Sequence, residues 1–443
     1  MRSSFEKRLR NLQTPPVISR YFSGEGQADC MPPETLAWYQ REALEAVVRR
    51  AYDHSSFYRE KMDRAGVSPK DIESLEDITR LPFLTKDELR GKPWLLLTCD
   101  KKDVVLMQVS TGTTGGEEIY MAYTWNDYLL NDLSPRYTKL FPVGPGDVCL
   151  NALPYEMSTA GLAFHKTFMD GYQSTVIPAG KGGAYSTPKK TLKMVRDLRP
   201  NVVVTSPSWS MVLAEEAARG GFDLTSLGIK KMWLTGEGCS PAFRERVEKI
   251  WGTTANYFYG SLECGMLGIE CDAQSGYHLA QAHVLMEIVD PKTGASLPPG
   301  EIGEIVVTAL LRYDSPIIRF RTGDLGCLET APCACGSTLT RFHMKGRAFD
   351  QIYFRGKPFS PFFVEEFLMR IPEVGNWFQF VMPASDSARI KIRCELANGV
   401  LPSAELASMI ANRMEASTGL LFDIELVDYL PRPTAKATRV VRE

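Results

Sequence analysis

Between about residues 104 and 310 the chain alternates short β-branched or apolar runs with longer helix-compatible segments. The runs fall at 148–153, 174–178, 202–205, 232–235 and 257–259. The segments between them include 189–198, 208–218 and 241–251. Strand followed by helix followed by strand calls for crossover connections, which give a mainly parallel sheet covered by helices. Ligands of such sheets bind where loops leave the carboxyl ends of the strands. A β-richer stretch follows, with strands expected at 287–290 and 304–309 and a turn at Pro299-Gly300 between them. Upstream, Leu44, Val47, Val48 and Ala51 share one face of a helix. The first thirty residues are polar, broken by Pro15, Pro16, Gly24 and Gly26, and read as a loose arm.

The pattern changes after Gly346-Arg347-Ala348. Strands are expected at 351–354, 377–381, 390–396 and 422–427, with helices at 364–369 and 404–415. The reading is therefore an α/β chain of two domains. A large multi-layer N-terminal domain spans 1–346, with mainly parallel sheets covered by helices plus a β-rich portion. A small mobile α+β domain spans 347–443.

Composition limits the function classes. The 443 residues carry 51 Lys plus Arg against 53 Asp plus Glu, a formal net charge of -2. That balance argues against gripping nucleic acid or an anionic membrane through bulk charge. No stretch approaches the ~18 apolar residues of a membrane span, and the N-terminus has no apolar run behind its positive charges, so no leader is expected. Ten cysteines fit a reducing cytoplasm, where thiols and metal ligands outnumber disulfides.

The densest local signal is Ser110-Thr111-Gly112-Thr113-Thr114-Gly115-Gly116, four hydroxyls and three glycines in seven residues. Glycines let a backbone turn tightly against a ligand, and hydroxyls and amides then bond phosphate oxygens. It lacks the Gly-Lys-Ser/Thr ending of a P-loop. Further motifs follow in order: Gly236-Glu237-Gly238, Tyr259-Gly260-Ser261-Leu262-Glu263, Arg321-Thr322-Gly323-Asp324, Gly346-Arg347, and Lys436 in a Pro-rich tail. A separate set, Cys271, His278, Cys333 and Cys335, has the ligand types of a closed tetrahedral Zn²⁺ site, with Cys264, Cys327, His283 and His343 as substitutes.

In this order and spacing the motifs resemble the ATP-dependent acyl-adenylate-forming (AMP-binding) superfamily, and within it the compact phenylacetate–CoA ligase branch, from about Pro32 to Arg439. The resemblance implies two steps. A carboxylate oxygen attacks the α-phosphorus of ATP-Mg²⁺, expelling pyrophosphate and leaving an acyl-adenylate. The CoA thiolate then attacks the acyl carbon and expels AMP. It also implies roles: Ser110, Thr111, Gly112, Thr113, Thr114 and Gly115 cradle phosphates. Gly236, Glu237, Tyr259 and Gly260 flank the adenine, and Asp324, with Arg347 nearby, holds the ribose. Glu263 helps hold Mg²⁺, and Lys436 reaches the carboxylate and α-phosphate during adenylation. Tyr155, Ser158 and Gly161 line the acid pocket, with Met157 and Phe164 suiting an aryl or arylacetic acid. A homodimer is implied as well.

The chain departs from the family pattern at four places. Gly116, Glu117 and Glu118 follow where a lysine is usual, and two acids there repel a triphosphate unless they point away. Leu262 precedes Glu263, Ala435 precedes Lys436, and Phe349 occupies the hinge. The alternatives are an adenylating enzyme that passes the acyl group to a carrier protein or acts on a deazaflavin coenzyme, and a degenerate nucleotide binder.

Overall fold

A computed structural model describes residues 28–110, 116–132, 136–157, 159–347, 350–382, 389–433 and 436–442. The N-terminal arm, most of the Ser/Thr/Gly string and hinge residues Ala348 and Phe349 lie outside them. The chain divides into two compact units. One comprises Met1–Cys149, Tyr155–Pro178 and Asn256–Met344, the other Leu150–Pro154, Ala179–Ala255 and Lys345–Glu443.

In the first unit the helix Pro33–His54 buries Leu44, Val47, Val48 and Ala51 completely, as their spacing predicts. The strands Val104–Val109 and Tyr120–Thr124 pair antiparallel, on either side of the Ser/Thr/Gly string. The β-rich portion is an antiparallel array. Val284–Val289 pairs with Gly303–Ala309, which pairs with Phe320–Glu329. Gly265–Glu270 lies between Ala255–Ser261 and Tyr277–Leu279. A buried polar knot braces this unit. The Asp127 carboxylate accepts from the amides of Tyr313, Asp314 and Ser315 at 2.7, 2.9 and 3.1 Å. Burial pushes Asp127 up to about 6, against the opposing charge of Arg312 and these bonds.

In the second unit Val202–Thr205 and Lys231–Leu234 run parallel, as expected for crossover-linked strands. Three helices accompany them, Pro188–Leu198, Pro207–Arg219 and Pro241–Trp251. Each begins with Ser or Thr followed by Pro. The hydroxyl of Thr187, Ser206 or Ser240 accepts from an amide one turn in, and proline occupies the first helical position. Trp209, Trp233 and Trp251 are at most 2% exposed and form the core; each contributes roughly 2–3 kcal/mol of burial. The C-terminal portion is a four-stranded sheet in the order Phe422–Leu426, Ile390–Leu396, Val374–Met382, Val440–Arg442. Its central pair is antiparallel and both outer pairs are parallel. The helix Ala404–Thr418 makes the crossover that one parallel pair requires.

Arg246 ties this sheet to the helix Pro241–Trp251. Its guanidinium donates to the carbonyls of Met369, Ile371, Val374 and Gly375 and to Asn376 Oδ1, at 2.5 to 3.1 Å. Among the described residues no helix is long and apolar enough to cross a membrane. Arg246→Ala strands several half-buried acceptors at once and is expected to cost about 3 kcal/mol of stability; denaturant unfolding monitored on wild type and variant measures it.

Candidate active site

Ser110 stands at the base of the Ser/Thr/Gly string. Its amide donates to Ile119 O at 2.9 Å and its hydroxyl accepts from the Ile119 amide at 3.0 Å, tying Ser110 to the residue before the second strand. Thr111, Gly112, Thr113, Thr114 and Gly115 lie outside the described residues, as does Ser158. Beyond the string Glu117 and Glu118 are exposed. The sequence reading missed the cation beside them. Arg90 donates to Glu117 O at 3.0 Å and lies 3.2 Å from where a Cβ on Gly116 would stand.

Tyr259 and Asp324 meet in the first unit: the phenol hydroxyl donates to Asp324 Oδ2. The Tyr259 ring lies against Tyr277 and Phe342, with centroids 6.0 and 5.9 Å away. Thr322-Gly323-Asp324 forms no simple turn. It sits within the strand Phe320–Glu329, which bulges at Gly323, where φ is +74°. Thr322 Oγ1 donates to Ile305 O at 2.7 Å and accepts from the Asp324 amide at 3.1 Å, which fixes the carboxylate's direction. Lys86 was also missed; its Nζ lies 3.8 Å from where a Cβ on Gly323 would stand. Gly260 admits no side chain, since a Cβ there would sit 2.8 Å from Gly265 O. Glu263 follows in the turn and is buried.

The Tyr155 hydroxyl and His165 Nδ1 are 3.1 Å apart, so His165 serves Tyr155. Gly161 is buried on the helix Thr159–Lys166. Phe164 joins an aromatic cluster with Phe141, Phe168 and Phe258, its ring 4.7 Å from that of Phe258. Met157, expected with Phe164 to suit an aryl or arylacetic acid, is 68% exposed at φ +49°.

The four residues Cys271, His278, Cys333 and Cys335 come together, each with a ligand atom within 4.8 Å of the others. The sulfurs of Cys271 and Cys333 are 3.6 Å apart, and Cys335 Sγ is 3.3 Å from His278 Nε2. Burial drives His278 down to about 4, so its imidazole is neutral near pH 7. Arg341 pins both loops that carry the cysteines, donating to Ser275 Oγ at 2.7 Å and Ala331 O at 3.0 Å.

In the second unit Glu237 spans two amides. Its Oε1 accepts from Ser208 at 2.7 Å and its Oε2 from Ala437 at 2.6 Å. Gly236, before it, is exposed at φ +85°. Ala437 directly follows Lys436, which is exposed. The Arg347 carbonyl accepts from Gln351 Nε2 at 2.7 Å. Glu365 is fully buried nearby, against the Ser240 backbone.

A Gly-rich string between paired strands, an acid held by a tyrosine, and a lysine tail beside a Gly-Glu-Gly turn are the features that the resemblance to adenylate-forming α/β enzymes calls for. The chain belongs to the AMP-binding enzyme family, whose profile matches residues 40–309. Phenylacetate-coenzyme A ligase of Thermus thermophilus is 33% identical over 83% of each chain. That of Escherichia coli is 28% identical over 92% of this chain and 94% of its own. The fold matches that of 2-hydroxyisobutyryl-CoA ligase, in complex with 2-HIB-AMP, at a TM-score of 0.86 and 21% identity, over 98% of this chain and 94% of that one.

Glu365 gives the unit a pH dependence. Burial pushes it up to about 7, with Arg439 opposing and Glu237 adding. A carboxyl raised above its unfolded value costs nothing below that value and destabilises as pH rises through the folded one. Glu365→Gln is therefore expected to stabilise the protein at pH 8 by about 2–3 kcal/mol and to flatten the slope between about pH 5 and 7.5. Unfolding curves across pH measure both.

Proposed function

We propose that this chain is an AMP-forming acid–CoA ligase that activates an aryl or arylacetic carboxylate with ATP and transfers it to CoA. The observation that carries the reading is its match to phenylacetate-coenzyme A ligases along most of its length. The residue roles belong to the proposal. Asp324, oriented by Tyr259, accepts from the ribose hydroxyls, since a carboxylate has lone pairs for several donors. Ser110 starts the phosphate cradle, with Arg90 and Lys86 adding positive charge. Gly236, Glu237 and Gly260 border the adenine, and Arg347 supports the ribose. Lys436 brings its charge to the carboxylate and α-phosphate oxygens as they react. Tyr155, Gly161 and the Phe164 cluster favour an apolar, aromatic acid.

A buried acid such as Glu263 suits a hard cation, and Mg²⁺ held there would neutralise phosphate charge. The division into 1–346 and 347–443 gives the small domain the adenylation lysine to carry. A cytoplasmic homodimer completes the reading, supported by the family resemblance and, for the compartment, by ten cysteines none of which is in a disulfide. The test incubates protein, ATP and Mg²⁺ with a panel of aryl and arylacetic acids, with and without CoA. CoA-dependent release of AMP and pyrophosphate is expected. Pyrophosphate exchange indifferent to CoA points to another acceptor, and silence across the panel overturns the reading. Lys436→Ala is expected to abolish adenylation while largely sparing thioester formation from supplied acyl-adenylate.

The Cys271/His278/Cys333/Cys335 cluster is proposed to hold structural Zn²⁺. Ligands about 2.3 Å from a tetrahedral zinc stand roughly 3.8 Å apart when both are sulfur, and less when one is nitrogen. The 3.6 and 3.3 Å separations fit that cage, and a neutral imidazole is the form that ligates. Four protein ligands leave no open position for chemistry. Elemental analysis of purified protein is expected to find one zinc per chain, and Cys335→Ser to lower both zinc content and melting temperature.

A further inference from the structure

Lys181 is one of the more deeply buried lysines, 5% exposed, and no sequence motif marked it. Its Nζ donates to Ser206 Oγ at 2.7 Å and reaches Ser208 Oγ at 3.5 Å. Ser206 is the N-cap of the helix Pro207–Arg219, accepting from the Trp209 amide. A cation is unfavourable at a helix N-terminus, the positive end of its dipole. The offset is Glu237, which accepts from the Ser208 amide in the same turn and, through its other oxygen, from the Ala437 amide. One buried ammonium, one helix start and one carboxylate thus converge on the residue after Lys436.

The geometry points to Lys181 as a positioning residue for Lys436, acting through Glu237. The role rests on the reading of Lys436 as the adenylation lysine. A charged Glu237 gives both amides strong acceptors, because bonds to an ionised group are roughly twice as strong as neutral ones. Burial works against its ionisation. The Lys181 charge, the bonds from Ser208 and Ala437 and the Arg439 charge outweigh it, leaving Glu237 below the ordinary carboxylate range. Without the lysine, the Glu237 carboxylate is less well stabilised, and its bonds to the Ser208 and Ala437 amides weaken toward neutral strength. The tie at Ala437 then slackens, and the segment that presents Lys436 loosens.

Two measurements test this, one of them independent of activity. Hydrogen exchange of the segment 436–442 is expected to speed up about tenfold in Lys181→Met, the loss of one charge-assisted bond. Lys181→Gln, which keeps a donor for Ser206 but no charge, repeats the measurement should the methionine variant not fold, and Lys181→Arg is expected to restore protection. In half-reactions, Lys181→Met is expected to slow adenylation by about tenfold or more. Thioester formation from supplied acyl-adenylate should stay within about threefold of wild type. In a Glu237→Gln background the same change should add little, since the two act as one unit. Unchanged exchange at 436–442, equal losses in both half-reactions, or independent effects in the two backgrounds overturns the role. Faster exchange in a protein whose wild type lacks ligase activity would uphold the tie while overturning the function assigned to Lys436.

Discussion

The carboxylate of Glu237 is the point on which the second unit turns. It accepts from the start of the helix Pro207–Arg219 with one oxygen and from the C-terminal tail with the other. A backbone amide removed from water must find an acceptor, so these bonds fix the path of both segments. The same unit keeps Glu365 fully buried close by. One acid is held ionised by Lys181 and Arg439 and the other is driven toward its neutral form by burial. Two carboxylates of opposite tendency in one neighbourhood keep net negative charge low where a lysine tail is anchored.

The first unit solves the burial of charge by a parallel device. Asp127 takes three successive backbone amides and faces Arg312, whose Nη2 donates to Ala122 O at 2.9 Å. Arg50 and Thr124 complete the knot on Asp314, at 2.8 and 2.7 Å. Such knots add little net stability, because desolvation consumes most of the Coulomb gain. They do fix one arrangement of the loops around the strand Tyr120–Thr124, which leads out of the Ser/Thr/Gly string.

Much of the fold was legible because the periodic signals were strong. The parallel run at Val202–Thr205 and the strand Ile390–Leu396 fall where the apolar pattern puts them. Helix starts were read one to three residues late at Pro188, Pro207 and Pro361, since apolar periodicity begins only after the Ser/Thr-Pro cap. The cap itself was the better signal. The pairing of Tyr259 with Asp324 could not be read from sequence, because the register of Phe320–Glu329 is offset by a bulge at Gly323. The cysteine–histidine set was legible as ligand types, while the convergence of its halves depends on antiparallel pairing of Tyr277–Leu279 with Arg341–Arg347. Lys86, Arg90 and Lys181 carry no local motif, so only three-dimensional proximity reveals them.

Those cations change what the near-neutral charge of the chain means. A triphosphate site cannot rely on a general positive field when 51 bases face 53 acids. Positive charge must then be fixed locally, where partial burial keeps solvent from screening it. In the proposed site, Lys86 by the Thr-Gly-Asp bulge and Arg90 by the end of the Gly-rich string fill this part in the first unit. Arg90 donates to the main chain of Glu117, and the acids at 117 and 118 are exposed. On the proposed reading, the exposed acids at 117 and 118 leave the phosphate charge to be met from a neighbouring segment rather than from the string.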